Sequence, residues 1–207
     1  MGLFNLSTLK EVTEFIYDSL YFHSSSYFDS NGEDLGFNEA ILLQTRIGGN
    51  EVNEVMKGGS WGIIEVSPNG FKEILPSDFE RVMVFNDYFI VFQEGKCGAY
   101  GRGGKMVIPL NYNYLDFSRT LNCFVANIGD GTKVQNSDWF DDFHYAGGKW
   151  GLLSEKGEIL IPLEFEYFRP KPNKERENTS SIELIKVGNE DKFGLIDLKG
   201  KFRIPMV

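Results

Sequence analysis

The chain has 207 residues and a formal net charge of −9, with 42% hydrophobic and 14% aromatic residues. This composition is typical of an ordered protein that is long enough to bury a sizeable core. An acidic surface repels nucleic-acid phosphates and anionic membranes and attracts basic proteins, so we expect neither a nucleic-acid partner nor membrane association.

The first segment predicts the one helix of the chain, over residues 7–22. Ser7 or Thr8 can cap it, and apolar residues recur at helical spacing at Leu9, Val12, Phe15, Ile16 and Leu20. The ends of a repeat array need a cover, so we expect residues 1–56 to form a helix and capping segment. Residues 1–22 lack the pattern of a signal peptide, which favours a cytoplasmic location.

From residue 57 onward the chain predicts repeated β-hairpins. A glycine follows the first motif residue after seven positions, and a proline follows that glycine after five. The glycine can take the positive φ that a tight hairpin loop requires, and the proline ends the second strand. Three copies keep this spacing, and a fourth is three residues longer: Cys97/Gly104/Pro109, Trp150/Gly157/Pro162, Phe193/Gly200/Pro205 and, longer, Trp61/Gly70/Pro76.

The third copy is the clearest. Residues 149–162 read K-W-G-L-L-S-E-K-G-E-I-L-I-P, with F-E-Y-F at 165–168. This stretch resembles the bacterial WG repeat, whose usual form is close to G-K-W-G-L-I-D-x-x-G-K-x-V-I-P-x-x-Y-D. Residues 192–205 resemble it with Phe193 in place of Trp, and residues 96–109 resemble a degraded copy. The resemblance spans about residues 57–207 and implies an interaction surface without catalytic residues.

The resulting prediction is a mainly β protein of antiparallel hairpin and meander repeats, WG-type and solenoid- or partial-propeller-like, with one N-terminal helix. We expect a capping segment at 1–56 and a repeat array at 57–207, together forming one compact domain. Cys97 and Cys123 lie in apolar strands and are predicted to be buried thiols.

A long insertion between the second and third copies, residues 129–146, carries the predicted partner site. Insertions in repeat proteins map to loops that are often the binding face. Tyr and Trp anchor interfaces, and carboxylates attract a basic partner. The alternative is that Trp139 and Phe143 only fix the loop to the core. The predicted partner-binding residues are Asp138, Trp139, Phe140, Asp141, Asp142, His144 and Tyr145.

We expect no catalytic residue, no metal and no cofactor. The acids from Asp130 to Asp142 lack the ligand spacing and central glycine of a calcium loop. The favoured function is a non-catalytic protein-binding repeat protein, an immunity or antitoxin protein that blocks a basic bacterial toxin. A general scaffold or a peptide- or carbohydrate-binding module is the alternative, and an enzyme using Asp141 and Asp142 is the third hypothesis.

Overall fold

A computed structural model describes residues 4–5, 10–11, 16–22, 41–52, 55–67, 70–85, 87–118, 121–135, 143–170 and 184–207. Within these ranges the regular elements are β-strands joined in antiparallel sheets. The prediction of a mainly β, antiparallel protein is therefore confirmed. No helix that is long and apolar enough to cross a membrane occurs among the residues described.

The chain divides into two compact units, Met1–Met106 and Val107–Val207. The division falls at the start of the twelfth strand. In chain order, the strands up to that point are β1 (Phe4–Asn5), β2 (Lys10–Glu11), β3 (Ser19–Phe22), β4 (Ile41–Ile47), β5 (Asn50–Val52), β6 (Val55–Lys57), β7 (Ser60–Ser67), β8 (Gly70–Phe79), β9 (Arg81–Val84), β10 (Tyr88–Gln93), β11 (Lys96–Gly101) and β12 (Met106–Tyr112).

The second unit continues in the same style. Its further strands are β13 (Tyr114–Ser118), β14 (Cys123–Ile128), β15 (Thr132–Gln135), β16 (Phe143–Ala146), β17 (Lys149–Leu153), β18 (Ile159–Phe165), β19 (Tyr167–Pro170), β20 (Leu184–Asn189), β21 (Lys192–Asp197) and β22 (Phe202–Ile204).

Four four-stranded sheets share one plan. Their strand orders are β3-β4-β7-β8, β9-β10-β11-β12, β13-β14-β17-β18 and β19-β20-β21-β22. The motif copy always occupies the third and fourth strands. In the first and third sheets an extra hairpin, β5–β6 or β15–β16, is inserted between the second and third strands. Strands β4 and β7 pair although they lie on opposite sides of the predicted boundary between residues 56 and 57. The division into a capping segment at 1–56 and a repeat array at 57–207 stays a prediction.

The predicted helix over residues 7–22 is wrong wherever the structure describes that segment. Lys10–Glu11 pairs with Phe4–Asn5, and β3 pairs with β4 as the first strand of the first sheet. Ile16, on the predicted apolar stripe, is 52% exposed, whereas Tyr17 is buried with Leu43 and Ile64. Pairing with β4 and burial of Tyr17 in the sheet's core override the helical spacing.

A second glycine of the motif directly follows the first motif residue, and we call it the motif glycine. A β-bulge in the neighbouring strand requires it to be glycine. Trp150 pairs with Phe165 and Leu152 with Ile161, so three residues of β18 stand opposite Gly151 alone. A Cβ on Gly151 would lie 2.4 Å from the Ile161 carbonyl oxygen. The same crowding recurs at Gly62 against Leu75 and at Gly194 against Ile204, which links the motif glycine physically to the residue before the motif proline.

The turn glycines confirm the predicted hairpins. Gly104, Gly157 and Gly200 have φ of +81°, +82° and +76°. Each donates its N–H to the carbonyl oxygen three residues back, at 2.9 Å in all three turns. Below the turns, apolar side chains of the second, third and fourth strands form the core, as in the cluster of the second unit: Cys123, Leu152, Ile161, Phe165, Ile185, Val187 and Ile196.

The motif aromatics occupy equivalent positions at the edge of this core. Trp150 lies 5.5 Å from Tyr114 and Phe193 lies 5.3 Å from Tyr167, as ring-centroid distances. In both sheets the strand between the two rings carries a small residue at that level, Asn127 or Gly188. Trp150 is half-buried and Phe193 is 39% exposed, so both rings flank the core that the following residues fill.

The crowding at Gly151 predicts a large cost for one added methyl group. Gly151→Ala should lower the free energy of unfolding by about 1–3 kcal/mol, because backbone atoms of β18 must move. Gly103→Ala is the matched control, since a Cβ there meets nothing within 4 Å, and it should change stability by less than about 0.5 kcal/mol. Urea unfolding of both variants measures the difference. Equal stability of the two would contradict the account of the bulge.

The turn of the last sheet predicts a pH-dependent contribution. Hydrogen bonds from the N–H groups of Lys201 and Lys199 and the Arg203 guanidinium hold the pKa of the Asp197 carboxyl below its ordinary value of 3.8. A lowered folded-state pKa gives stability above that ordinary value, and it is lost as the pH falls through the folded-state pKa.

Asp197→Ala should therefore lower the free energy of unfolding at pH 7, and the deficit should shrink below pH 3.8. Asp197→Ser should be milder, because Ser154 accepts the equivalent two backbone N–H bonds in its own turn. Asp191→Ala removes an exposed carboxylate from the same sheet and is the control. A deficit that stays constant from pH 7 to pH 3 would refute the titration of Asp197 as its cause.

Candidate functional site

The site is built on a polar residue that precedes the first strand of each four-stranded sheet. Asp18, Glu80, Asn113 and Glu166 each stand one position before the first strand, and we call them the corner residues. Each donates its backbone N–H to a carbonyl oxygen near the end of the second strand, on Arg46, Phe92, Asn127 and Gly188 respectively, at 2.8–3.0 Å.

The corner side chain then binds the backbone two residues beyond that carbonyl. Three corner carboxylates accept an N–H there, and the Asn113 amide instead donates to a carbonyl oxygen. The four backbone positions reached in this way all have positive φ, from +51° to +91°. They are Gly48, Glu94, Gly129 and Glu190. Each sheet thus turns its chain at the same corner before the third strand.

In the third sheet this corner forms the neck of the inserted hairpin. Asn127 is fully buried, and its amide nitrogen donates to the Gly147 carbonyl at 3.2 Å on the returning side. Asn113 donates to the Gly129 carbonyl at 2.7 Å on the outgoing side and to the Asn127 side-chain oxygen at 3.3 Å. The two amides therefore hold both sides of the neck, which fixes where β15–β16 leaves the sheet.

The first sheet has a related neck. Arg46 is buried opposite Trp61, donates from Nε to the Gly58 carbonyl at 3.0 Å and stacks 5.5 Å from the centroid of the Trp61 ring. Arg46 and Asn127 both stand opposite a motif tryptophan in the sheet register. A buried polar side chain at this position therefore accompanies the inserted hairpin in both sheets.

A cleft of about 490 Å³ opens at the neck of the third-sheet hairpin. One wall is the glycine-rich neck, and the other is an ion pair between Lys149 Nζ and Glu166 Oε1 at 3.0 Å. Asp130 adds a second carboxylate. The lining residues are Gly129, Asp130, Gly147, Gly148, Lys149 and Glu166.

Glu166 is the best-defined charge in the cleft. It accepts hydrogen bonds from the Glu190 N–H at 2.7 Å and from Lys149 at 3.0 Å. The Glu190 bond first, and then Lys149, hold the pKa of the Glu166 carboxyl below its ordinary value, so it is ionised at neutral pH. Its side chain is 46% exposed and that of Lys149 is 44% exposed. An exposed ion pair of this kind contributes little stability, which leaves both charges open to exchange.

The structure locates only the base of the predicted partner site. Asp138, Trp139, Phe140, Asp141 and Asp142 lie outside the described residues. His144 and Tyr145 lie on β16, where His144 pairs with Val134 and Tyr145 with Lys133. The cleft lies at the foot of this hairpin, and the assignment of these residues to partner binding stays a prediction.

The cleft offers charged side chains and backbone hydrogen-bonding groups. No group of three or more His, Cys, Asp or Glu side chains suited to a metal occurs in the part of the chain that is described. Cys97 and Cys123 are buried free thiols, as predicted. Burial raises the pKa of the Cys97 thiol from 9.0 to about 12, so it remains a protonated thiol at neutral pH.

Lys149 and Glu166 were not predicted as site residues from the sequence, although the sequence contains a signal for them. Each motif proline in the first three copies is followed after four residues by a corner residue: Pro76 by Glu80, Pro109 by Asn113 and Pro162 by Glu166. The motif lysine lies next to Trp150, whose pairing with Phe165 brings Lys149 beside Glu166. This spacing would have identified one wall of the cleft.

Comparison with known proteins agrees with this construction. The family model of the WG containing repeat matches residues 150–170, which span β17, β18 and the strand after the corner residue Glu166. No curated protein and no solved structure matches the chain. The family match covers the third and fourth strands of the third sheet and the first strand of the fourth sheet. Residues 150–170 of this chain are a WG repeat.

Proposed function

We propose that this protein is a non-catalytic binding protein that holds a basic protein partner at the β15–β16 hairpin and the cleft at its neck. The observation that carries the proposal is the cleft itself, where Asp130 and Glu166 present carboxylates beside a hairpin anchored by Asn113 and Asn127. A partner lysine or arginine fits this chemistry, because carboxylates bind guanidinium and ammonium groups strongly in partly desolvated sites.

The exchange of ion pairs gives the cleft a way to bind without rearranging the sheet. Glu166 keeps its Glu190 hydrogen bond while its other oxygen, now bound to Lys149, turns to a partner cation. Lys149 is then available to a partner carboxylate. The net charge of −9 adds long-range attraction for a basic protein and raises the rate of encounter.

We further propose that the partner is a toxin and that binding blocks it, which makes the chain an immunity or antitoxin protein. A blocking protein needs a stable framework, a shaped acidic surface and no chemistry of its own. The repeated sheets supply the framework, and the hairpin with its cleft supplies the surface. A general scaffold would instead engage several unrelated proteins, and a carbohydrate-binding module would retain glycans.

Capture from the native cell tests the partner class. The full chain, immobilised and washed at moderate salt, should retain a basic protein identified by mass spectrometry, and binding should weaken steeply as salt increases. Coexpression of the wild-type chain should suppress the growth defect that this partner causes alone. Retention of glycans, or of many unrelated proteins with no inhibited activity, would refute the antitoxin role.

Two substitutions test the binding surface once the partner is purified. Trp139→Ala should reduce affinity at least about 30-fold, the loss expected when an aromatic anchor is removed. Asp130→Asn should slow association and flatten its salt dependence, because it removes one steering charge from the cleft. Calorimetry and stopped-flow mixing measure these effects.

The controls keep the chemistry and change the location. Ile159→Ala truncates a 65% exposed apolar residue on β18, and Asp87→Asn removes an exposed carboxylate from the first unit. Both should bind as the wild type does. If Trp139→Ala and Asp130→Asn also bind as the wild type does, the partner surface lies elsewhere on the chain.

A further inference from the structure

The fourth strand of the last sheet exposes a residue that the other sheets bury. The residue before each motif proline is Leu75, Ile108, Ile161 or Ile204. The first three are 0–1% exposed, whereas Ile204 is 49% exposed. Its strand β22 is an edge strand, and Phe202 on the same strand is 41% exposed. The last sheet therefore presents an apolar edge where the equivalent edge is covered elsewhere.

The other sheets show which structural element covers the equivalent edge. A Cβ on the turn glycine Gly104 would lie 2.4 Å from the carbonyl oxygen of Ile74 on β8. A Cβ on Gly157 would lie 2.6 Å from the carbonyl oxygen of Val107 on β12. In each case a hairpin turn of the following sheet lies against the fourth strand of the sheet before it, next to the residue that precedes the proline.

The third instance repeats the pattern in the second unit. A Cβ on Gly200 would lie 3.9 Å from the side chain of Ile161 on β18. The fourth strands β8, β12 and β18 are thus each met by a glycine turn of the next WG-type hairpin. None of the turn glycines in the described hairpins lies against β22, and its exposed apolar edge is open to a hairpin of another molecule.

The first sheet offers such a hairpin. Its β7–β8 end pairs Ser67 with Gly70, and a Cβ on Gly70 would meet nothing within 4 Å. The adjacent Phe71 is 43% exposed. Among the four motif hairpins this turn glycine is the one with no contact of the kind that Gly104, Gly157 and Gly200 make.

The charges of the two ends are complementary. The β21–β22 hairpin, residues 192–203, carries four cations against one carboxylate: Lys192, Lys199, Lys201 and Arg203 against Asp197. The β7–β8 hairpin, residues 60–79, carries three carboxylates against one cation: Glu65, Glu73 and Asp78 against Lys72. This opposition favours approach of the first hairpin of one molecule to the last hairpin of another.

We propose that β22 docks the β7–β8 hairpin of a second copy of this chain, continuing between molecules the strand-to-turn contact that joins successive sheets within one. The contact is head-to-tail, because each copy inserts its β7–β8 hairpin into one neighbour and binds the hairpin of another neighbour at β22. Such a contact leaves one end of each type open on a dimer and therefore builds longer assemblies or rings. It uses neither the cleft nor the β15–β16 hairpin.

Sedimentation velocity of the full chain over a wide concentration range tests this contact. The wild type should pass from the 23.5 kDa monomer to higher species as concentration rises. Ile204→Glu and Phe71→Glu should each remain monomeric, because one removes the receiving face and the other the docking hairpin. Ile159→Glu places the same charge on a 65% exposed isoleucine of β18 and should associate as the wild type does.

Mixing the two monomeric variants distinguishes this contact from a symmetric one. Ile204→Glu retains an intact first hairpin and Phe71→Glu an intact β22, so together they should form a 1:1 dimer and nothing larger. Circular dichroism establishes that both variants are folded. A wild type that stays monomeric at every concentration, or a Phe71→Glu variant that associates as the wild type does, would overturn the proposal.

Discussion

The hydrogen bonds of the corner residues are the interactions on which the rest of the structure depends. At Asp18, Glu80, Asn113 and Glu166 a single residue ties its backbone and its side chain to the end of the second strand. The backbone there adopts positive φ, which costs free energy for the non-glycine residues Glu94 and Glu190. A hydrogen-bonded side chain at the corner offsets that cost, so the turn keeps its direction from sheet to sheet.

In the second and fourth sheets, the size of the motif residue varies inversely with the size of the residue opposite it on the second strand. Where the middle strand carries the large Phe92, the motif residue is Cys97. Where the residue on the second strand is Gly188, the motif residue is Phe193. A Cβ on Gly188 would lie 2.6 Å from Cδ1 of the Phe193 ring, so a larger residue there would collide with it. Close packing accounts for this exchange, because the volume at that level of the sheet is limited. The substitution of Cys for Trp is thus a local repacking and keeps the repeat intact.

Much of the architecture could be predicted from spacing, because glycine and proline each act through the backbone. The turns at Gly104, Gly157 and Gly200 follow from the conformations that only glycine adopts easily. The prediction of a helix over residues 7–22 was wrong, because the spacing of apolar residues does not show which strand the segment pairs with. The edge offered by β4 lies more than twenty residues later in the chain.

The candidate site could be predicted only in part for a similar reason. The insertion at 129–146 interrupts a repeat and is visible in the sequence. The wall formed by Lys149 and Glu166 depends on strand register and on the corner geometry, which a single copy of the motif does not reveal. In the sequence, Asn113 and Asn127 look like ordinary polar residues. Their role appears only in the structure, where their amides donate to the carbonyl oxygens of Gly129 and Gly147.

The shared corner has a consequence for how this scaffold can change. The chain leaves the second strand through a positive-φ residue whether a two-residue turn follows, as at Glu94, or a whole extra hairpin, as at Gly129. The order of the four strands is the same whatever the length of the segment inserted after this residue. Segments of different length therefore follow the same corner in different sheets, while the four strands that carry them keep one order.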